Sequence, residues 1–255
     1  MKYIFRFYQW CIAVPILVVI TAVTALTCII SALFGAKNWG GYWPPKLWSQ
    51  CVCTLLFIRV KVEGRSNIES KQAYVFVSNH QSAFDIWSIY GYLGHPFKWM
   101  MKKSLEKVFL VGQACKSVGH VFVDDSSIAG IKDTISHAQS TLKGNMSLVI
   151  FPEGHRSYDG KMLPFKRGAF MLAGEFGLPV VPITIEGAYD VLPRSTYNIR
   201  PGKITLHIHK PIYPGEKGFN TKSLLNICRS EISASLPLKY QGEGKEPETE
   251  SKVSI

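Results

Sequence analysis

The chain has 255 residues, 47% of them apolar and only 18% charged. That is few charges for a soluble protein of this size, and length enough for one α/β domain with a membrane appendage. The net charge of +11 suits phosphate-bearing partners such as anionic lipid, a nucleotide-like cofactor or nucleic acid. The six cysteines, Cys11, Cys28, Cys51, Cys53, Cys115 and Cys228, fit neither a zinc motif nor a disulfide framework. They read as reduced thiols in a chain whose working part faces the cytosol.

No charged residue lies between Arg6 and Lys37, and residues 11–33 are apolar apart from scattered Thr and Ser. One helix over that stretch spans the ~30 Å of a bilayer's hydrocarbon. A secretory signal peptide is the competing reading, but its apolar core is shorter and it needs a small-x-small cleavage site. A retained anchor is therefore expected. Residues 38–45, with Trp39, Tyr42 and Trp43 among Gly and Pro, combine turn chemistry with a headgroup-level aromatic belt. A second helix is predicted over 47–58. It is too short to cross upright, so it lies in the interface or forms a hairpin with the first helix that enters one leaflet. Lys2 and Arg6 against Lys37 and Lys46 leave the orientation undecided.

From residue 59 the pattern changes to alternating strands and helices. Strands are predicted at 59–63, 73–78, 97–101, 120–124, 147–151, 180–185 and 203–209. Helices are predicted at 82–92, 111–118, 126–143, 169–176 and 224–235, with Gly177 closing the fourth. That alternation predicts an α/β domain whose mostly parallel sheet carries helices on both faces. The expected division is an anchor over 1–58, a catalytic domain over 59–238 and a polar, disordered tail over 239–255.

The apolar run 74–77 stops abruptly at Asn79-His80, and Asp85 falls in the first turn of the next helix. A histidine at the carboxyl end of a strand sits where open α/β sheets place their ligands. In a regular strand positions i and i+5 face opposite ways, so Asp85 reaches His80 only across a turn. There it would set the tautomer of His80 and stabilise its protonated form, leaving the other ring nitrogen to take a proton from an alcohol. His120 and Asp125 repeat the spacing, but the residues between them alternate as a strand and should point the two side chains apart. No Ser or Cys stands in a nucleophile elbow, so a covalent enzyme intermediate is not expected.

Three more stretches adjoin predicted strands: 119–124 (Gly-His-Val-Phe-Val-Asp), 151–156 (Phe-Pro-Glu-Gly-His-Arg) and 181–184 (Val-Pro-Ile-Thr). With Asn79-His80…Asp85 they resemble, in order and separation, the N-H-x-x-x-x-D, G-x-I-F-I-D-R, F-P-E-G-T-R and V-P-I motifs of the glycerolipid acyltransferase family. The closest resemblance is to bacterial 1-acyl-glycerol-3-phosphate acyltransferases, over roughly residues 60–211.

The resemblance implies transfer of a fatty acyl group from acyl-coenzyme A or acyl-carrier protein to the sn-2 hydroxyl of a lysophosphatidate. His80 and Asp85 would be catalytic, and Glu153, Gly154 and Arg156 would bind the acceptor. It implies no cofactor, no metal and no nucleic acid, and a place at the bacterial cytoplasmic membrane with the catalytic domain facing the cytosol. Arg156 can grip a phosphate bidentately, while Glu153 would hold a glycerol hydroxyl or steady Arg156. Lys102, Lys103, and Lys166-Arg167-Gly168 before a helix N-terminus, are further phosphate candidates. Backbone N–H groups at His80 or Gly154 are candidate oxyanion donors. Two departures stand out: Asp125 where the family usually has a phosphate-contacting arginine, and His155 where it has threonine. The first opens alternatives, an acyltransferase for lyso-ornithine lipid or lysophosphatidylglycerol; a membrane-bound lipid or thioester hydrolase is a further rival.

Overall fold

The structure, a computed structural model, describes residues 2–124, 127–142, 146–194, 196–214 and 220–244. The elements run α1 (Lys2–Tyr8), α2 (Val14–Leu33), α3 (Lys37–Gly40), α4 (Trp43–Leu55), β1 (Ile58–Glu63), β2 (Val75–Ser78), α5 (Phe84–Tyr92), β3 (Phe97–Lys102), α6 (Val111–Ser117), β4 (Val121–Val123), α7 (Ile128–Leu142), β5 (Ser147–Ile150), α8 (Gly168–Glu175), β6 (Val180–Glu186), α9 (Ala188–Val191), β7 (Gly202–Ile208) and α10 (Thr221–Ala234). The chain forms two compact units, Met1–Ile58 with Trp87–Val149, and Arg59–Ile86 with Ile150–Ile255. The segment expected to stand alone over 1–58 thus shares its unit with 87–149.

In the first unit α1 and α2 form one continuous helix through a single π turn at Gln9–Ala13. Pro15 explains the widened turn: it lacks an N–H and its ring crowds the carbonyl one turn back. Residues Tyr3–Leu33 are long and apolar enough to cross a membrane, about 46 Å at 1.5 Å per residue. α4 returns antiparallel along this helix. Tyr8 Oη donates to the Leu55 carbonyl at 3.0 Å, and Trp48 Nε1 donates to Thr21 Oγ1 at 2.9 Å. Between the two helices, a Cβ on Gly40 would stand 1.7 Å from Ser31 Oγ, so only glycine fits that close approach. α4 starts four residues earlier than expected because Pro44 and Pro45 preset its first turn. It ends at Leu55, before Phe57 adopts φ +57°. The small side chains Ala25 and Cys28 of α2 pack against Ala114 of α6 and Val118 just beyond it. The strands of this unit lie in the order β5-β3-β4, with β3 and β4 parallel.

In the second unit the strand order is β1-β7-β6-β2. β2 and β6 are parallel, pairing Val75 with Val180 and Ser78 with Ile183. β7 runs antiparallel to β6, so the mostly parallel sheet is mixed. Every residue of β2 is buried, which is why it reads as an apolar run instead of an alternation. α10 lays Leu224, Cys228 and Ile232 inward. Within the stretch expected as tail from residue 239, Tyr240 Oη donates to Asp190, and the Gly244 N–H donates to the Met162 carbonyl at 2.8 Å. Residues 245–255 lie outside the described residues, as does Asp125.

Candidate active site

All the contacts around His80 fall within the second unit. β2 ends at Ser78, and the chain must leave the sheet before α5 begins. Asn79, fully buried, makes that exit. Its Nδ2 donates to the Ile185 carbonyl at 3.0 Å, and its Oδ1 accepts the Ile185 N–H at 2.8 Å. Since Ser78 pairs with Ile183, the Asn79 amide serves the next ladder position on β6. The main chain is released to turn while the backbone groups of Ile185 stay satisfied.

Asp85 then closes the turn. One oxygen, Oδ2, accepts the N–H groups of Gln81 and Ser82, both at 2.7 Å, and lies 2.9 Å from His80 Nδ1. The carboxylate at the start of α5 is therefore both the cap of the turn and the partner of the imidazole. Glu153 holds the other side of the same residue. Its Oε1 accepts the His80 N–H at 2.6 Å and its Oε2 accepts the Leu163 N–H at 2.7 Å. The His80 carbonyl accepts the Ser157 N–H at 3.1 Å. The Phe151 ring stacks on the imidazole at 4.0 Å between centroids, 8° from parallel.

Nδ1 faces a fully buried carboxylate and so carries the proton, which leaves the Nε2 lone pair bare. Nε2 has no hydrogen-bond partner among the described residues, and the side chain is 13% exposed. Burial is the main influence on its basicity and pulls the pKa below the usual histidine value. Asp85 acts the other way, and the charges of Arg156 and His155 add to the lowering. The folded chain thus keeps this imidazole neutral, the form a general base requires.

Glu153 departs from the expected acceptor ligand. It is 2% exposed, both its oxygens serve backbone amides, and it makes no ion pair with Arg156. Burial pushes its pKa up to about 8, with the Leu163 and His80 amides pulling back. The two expected oxyanion donors are also engaged. The His80 N–H goes to Glu153, and the Gly154 N–H goes to the Phe151 carbonyl at 3.0 Å. Gly154 does need its glycine, at φ +78°. A Cβ there would meet Lys166 Cε at 3.1 Å and Nζ at 3.3 Å, so the Lys166 ammonium lies over the turn. The Arg156 side chain is half-buried, with no hydrogen bond or ion pair from its guanidinium among the described residues. Lys166, Arg167 and Gly168 are exposed at the start of α8.

Lys102 and Lys103 belong to the first unit and are exposed. Lys103 pairs with Asp124 at 2.6 Å. The second His–Asp spacing ends in a structural histidine. His120 Nδ1 accepts the Trp99 N–H at 3.2 Å, which puts its proton on Nε2, 3.0 Å from Tyr90 Oη. Burial, with Lys98 nearby, drives its pKa down to about 3. No three His, Cys, Asp or Glu side chains are arranged to hold a metal among the described residues.

Sequence reasoning missed the Phe151 stack and Arg194. Arg194 lies 3.9 Å over the Tyr158 ring and donates to the Arg156 carbonyl, steadying the 154–158 loop. Nothing in the local sequence marks Arg194, which sits 38 residues downstream.

The model of a family described as acyltransferase matches residues 59–186. A 1-acyl-sn-glycerol-3-phosphate acyltransferase of Chlamydomonas reinhardtii is 33% identical over 202 residues, 78% of this chain and 59% of that one. A chloroplastic 1-acyl-sn-glycerol-3-phosphate acyltransferase of Arabidopsis thaliana is 34% identical over 195 residues, 76% of this chain and 53% of its own length. The chain thus spans little more than half of these curated relatives. The crystal structure of the 1-acyl-sn-glycerophosphate acyltransferase PlsC from Thermotoga maritima superposes with a TM-score of 0.73 at 28% identity. That match covers 91% of this chain and 92% of the other. The matched span contains the whole Asn79–Asp85 turn and the Glu153–Arg156 loop, and with it the chain belongs to the acyltransferase family.

Proposed function

We propose that the chain transfers a fatty acyl group from acyl-coenzyme A or acyl-carrier protein to the sn-2 hydroxyl of 1-acyl-glycerol-3-phosphate, giving phosphatidic acid. The observation that carries this reading is the buried Asp85 carboxylate 2.9 Å from His80 Nδ1, with Nε2 left open. The algal and plant relatives, named for this reaction, support the acceptor.

The acceptor hydroxyl gives its proton to Nε2 as its oxygen attacks the thioester carbonyl. The imidazolium formed is stabilised by Asp85. The tetrahedral adduct collapses, the C–S bond breaks, and Nε2–H protonates the departing thiolate. A base of this kind contributes on the order of two to four decades of rate. Transfer is direct, within a complex of donor and acceptor. Arg156 and Lys166 hold the acceptor phosphate, with Gly154 keeping the turn beneath them open and Gly168 presenting the start of α8. Glu153 positions His80 through its main chain. The apolar Tyr3–Leu33 helix supports a place at a membrane.

The test is purified His80→Ala protein, assayed for acyl transfer with its circular dichroism recorded. Loss of transfer in a folded protein is expected, and retained transfer refutes the base assignment. Free fatty acid released at the same rate with or without acceptor would make the protein a hydrolase. The acid at position 125 favours one second reading, a different lysolipid acceptor such as lyso-ornithine lipid or lysophosphatidylglycerol. Competition among those lysolipids at a fixed donor separates the two.

A further inference from the structure

In the first unit the segment from the end of β3 into the first residue of α6 leaves Leu105, Val108, Phe109 and Val111 exposed within seven residues, Phe109 by 86%. Single exposed apolar side chains are ordinary, but four on one short loop are not. The loop is also firmly built. The Gly112 N–H donates to the Val108 carbonyl at 2.8 Å. A Cβ on Gly112 would stand 2.2 Å from the Glu106 carbonyl oxygen, so the chain crosses itself at glycine distance. Lys116 clasps Glu106 across the base. Leu110 takes φ +62°, a conformation leucine rarely adopts. It packs against the Ala25, Cys28, Ala114 and Val118 cluster, while its neighbour Phe109 stands in solvent. A strained, anchored residue directly beside an exposed one marks a presented tip, not slack.

That cluster joins the loop to the last turns of α2, the helix apolar enough to cross a membrane, where Leu26, Ile30 and Leu33 are also exposed. Lysines 102, 103, 107 and 116 lie within ten residues of Phe109 in the chain and are exposed, Lys103 paired with Asp124 and Lys116 with Glu106. Among the described residues Lys102 and Lys107 have no acidic partner. An apolar tip with unpaired lysines in the same segment is the composition of an interfacial contact with anionic lipid. We propose that the 103–111 loop is a second membrane-docking surface. It inserts Phe109 among the headgroups of an anionic bilayer and holds the unit down beside α2.

The experiment places the full chain in vesicles of phosphatidylcholine alone, or of phosphatidylcholine with phosphatidylglycerol, each with or without lipid brominated near the glycerol. The readout is the emission difference between Phe109→Trp and the parent protein. Insertion predicts a blue-shifted difference spectrum quenched by bromine, more strongly in anionic vesicles. Lys107→Gln, added to Phe109→Trp, should weaken the insertion equilibrium in anionic vesicles about fivefold, the weight of one lysine near such a surface. A difference spectrum typical of water-exposed indole and unmoved by bromolipid would overturn the proposal. So would an emission that responds only to added acyl-carrier protein, which would make the tip a docking site for an acidic protein. The readout needs no acyl transfer, so it stands or falls apart from the proposed reaction.

Discussion

Asp85→Asn separates the charge at the turn from its shape. Oδ2 accepts from Gln81 N–H, Ser82 N–H and His80 Nδ1–H, and an amide oxygen can take that place with all three donors kept. The new NH2 falls at Oδ1, a buried atom with no partner among the described residues. Some stability is lost there, about 1–3 kcal/mol for an unsatisfied buried donor. The charge is lost entirely. Two unit charges about 4 Å apart at an effective dielectric of about 20 interact by about 4 kcal/mol. The imidazolium of the transition state loses that support, so kcat should fall by two to three decades. The pH profile gives the distinguishing sign. Asp85 is the neighbour that raises the His80 pKa against burial. Removing it lowers that pKa further, and a base active only when neutral then keeps its fraction of activity to lower pH. The variant should be slower everywhere, with its acid limb displaced toward lower pH. The assay is thiol release from acyl-coenzyme A with lysophosphatidate in micelles, from pH 4.5 to 9. A rate within threefold of the parent, or an acid limb moved upward, would refute the reasoning.

Arg156→Ala should raise the acceptor KM by about 10- to 100-fold, the worth of a charge-assisted hydrogen bond of about 1.5–3 kcal/mol, and leave the donor KM unchanged. Initial rates varied in each substrate separately check this. Asn79→Ala strips partners from the buried N–H and carbonyl of Ile185 and should destabilise the protein by about 2–5 kcal/mol, read from urea unfolding. Glu153 binds its proton more tightly folded, with a pKa of about 8, than unfolded near 4.5. Between those values the folded state holds more protons than the unfolded one, so this group makes stability fall as pH rises. Glu153→Gln should flatten that slope in unfolding measurements from pH 5 to 8; an unchanged slope contradicts the assignment.

The strand-then-histidine pattern was legible because it is local: β2 is an unbroken apolar run, and the turn after it carries its own acid five residues on. His120 could be told from His80 for the same reason, since the residues after His120 alternate and those after His80 do not. What the sequence hid is long-range. Glu153 reaches His80 across 73 residues and Asn79 reaches Ile185 across 106, and no periodicity reports either contact. A buried acid in a motif with Arg156 reads equally well as a ligand or as a brace, and only its backbone partners decide. The direction of β7 was hidden as well, because an apolar strand looks alike in either orientation. The first residues beyond the expected end at 238 read as tail because their polar composition outweighs Tyr240 and its single buried ring.

The buried polar groups around His80 point mostly at main chain. Asn79 holds β6, Asp85 and Glu153 hold the turn from two sides, and Phe151 fixes the plane of the ring. This over-determines the imidazole and leaves few groups for a ligand: Nε2, the guanidinium of Arg156 and the ammonium of Lys166. On the proposed reading, proton transfer and acceptor choice rest on different parts of the unit. A substitution at Asn79, Asp85 or Glu153 changes how well the base is aimed and should lower kcat alike for every lysolipid. A substitution at Arg156 or Lys166, on the exposed side of the Gly154 turn, should change which headgroup is accepted while leaving the acid limb of the pH profile nearly in place. An acyltransferase arranged this way can change its acceptor without rebuilding its base.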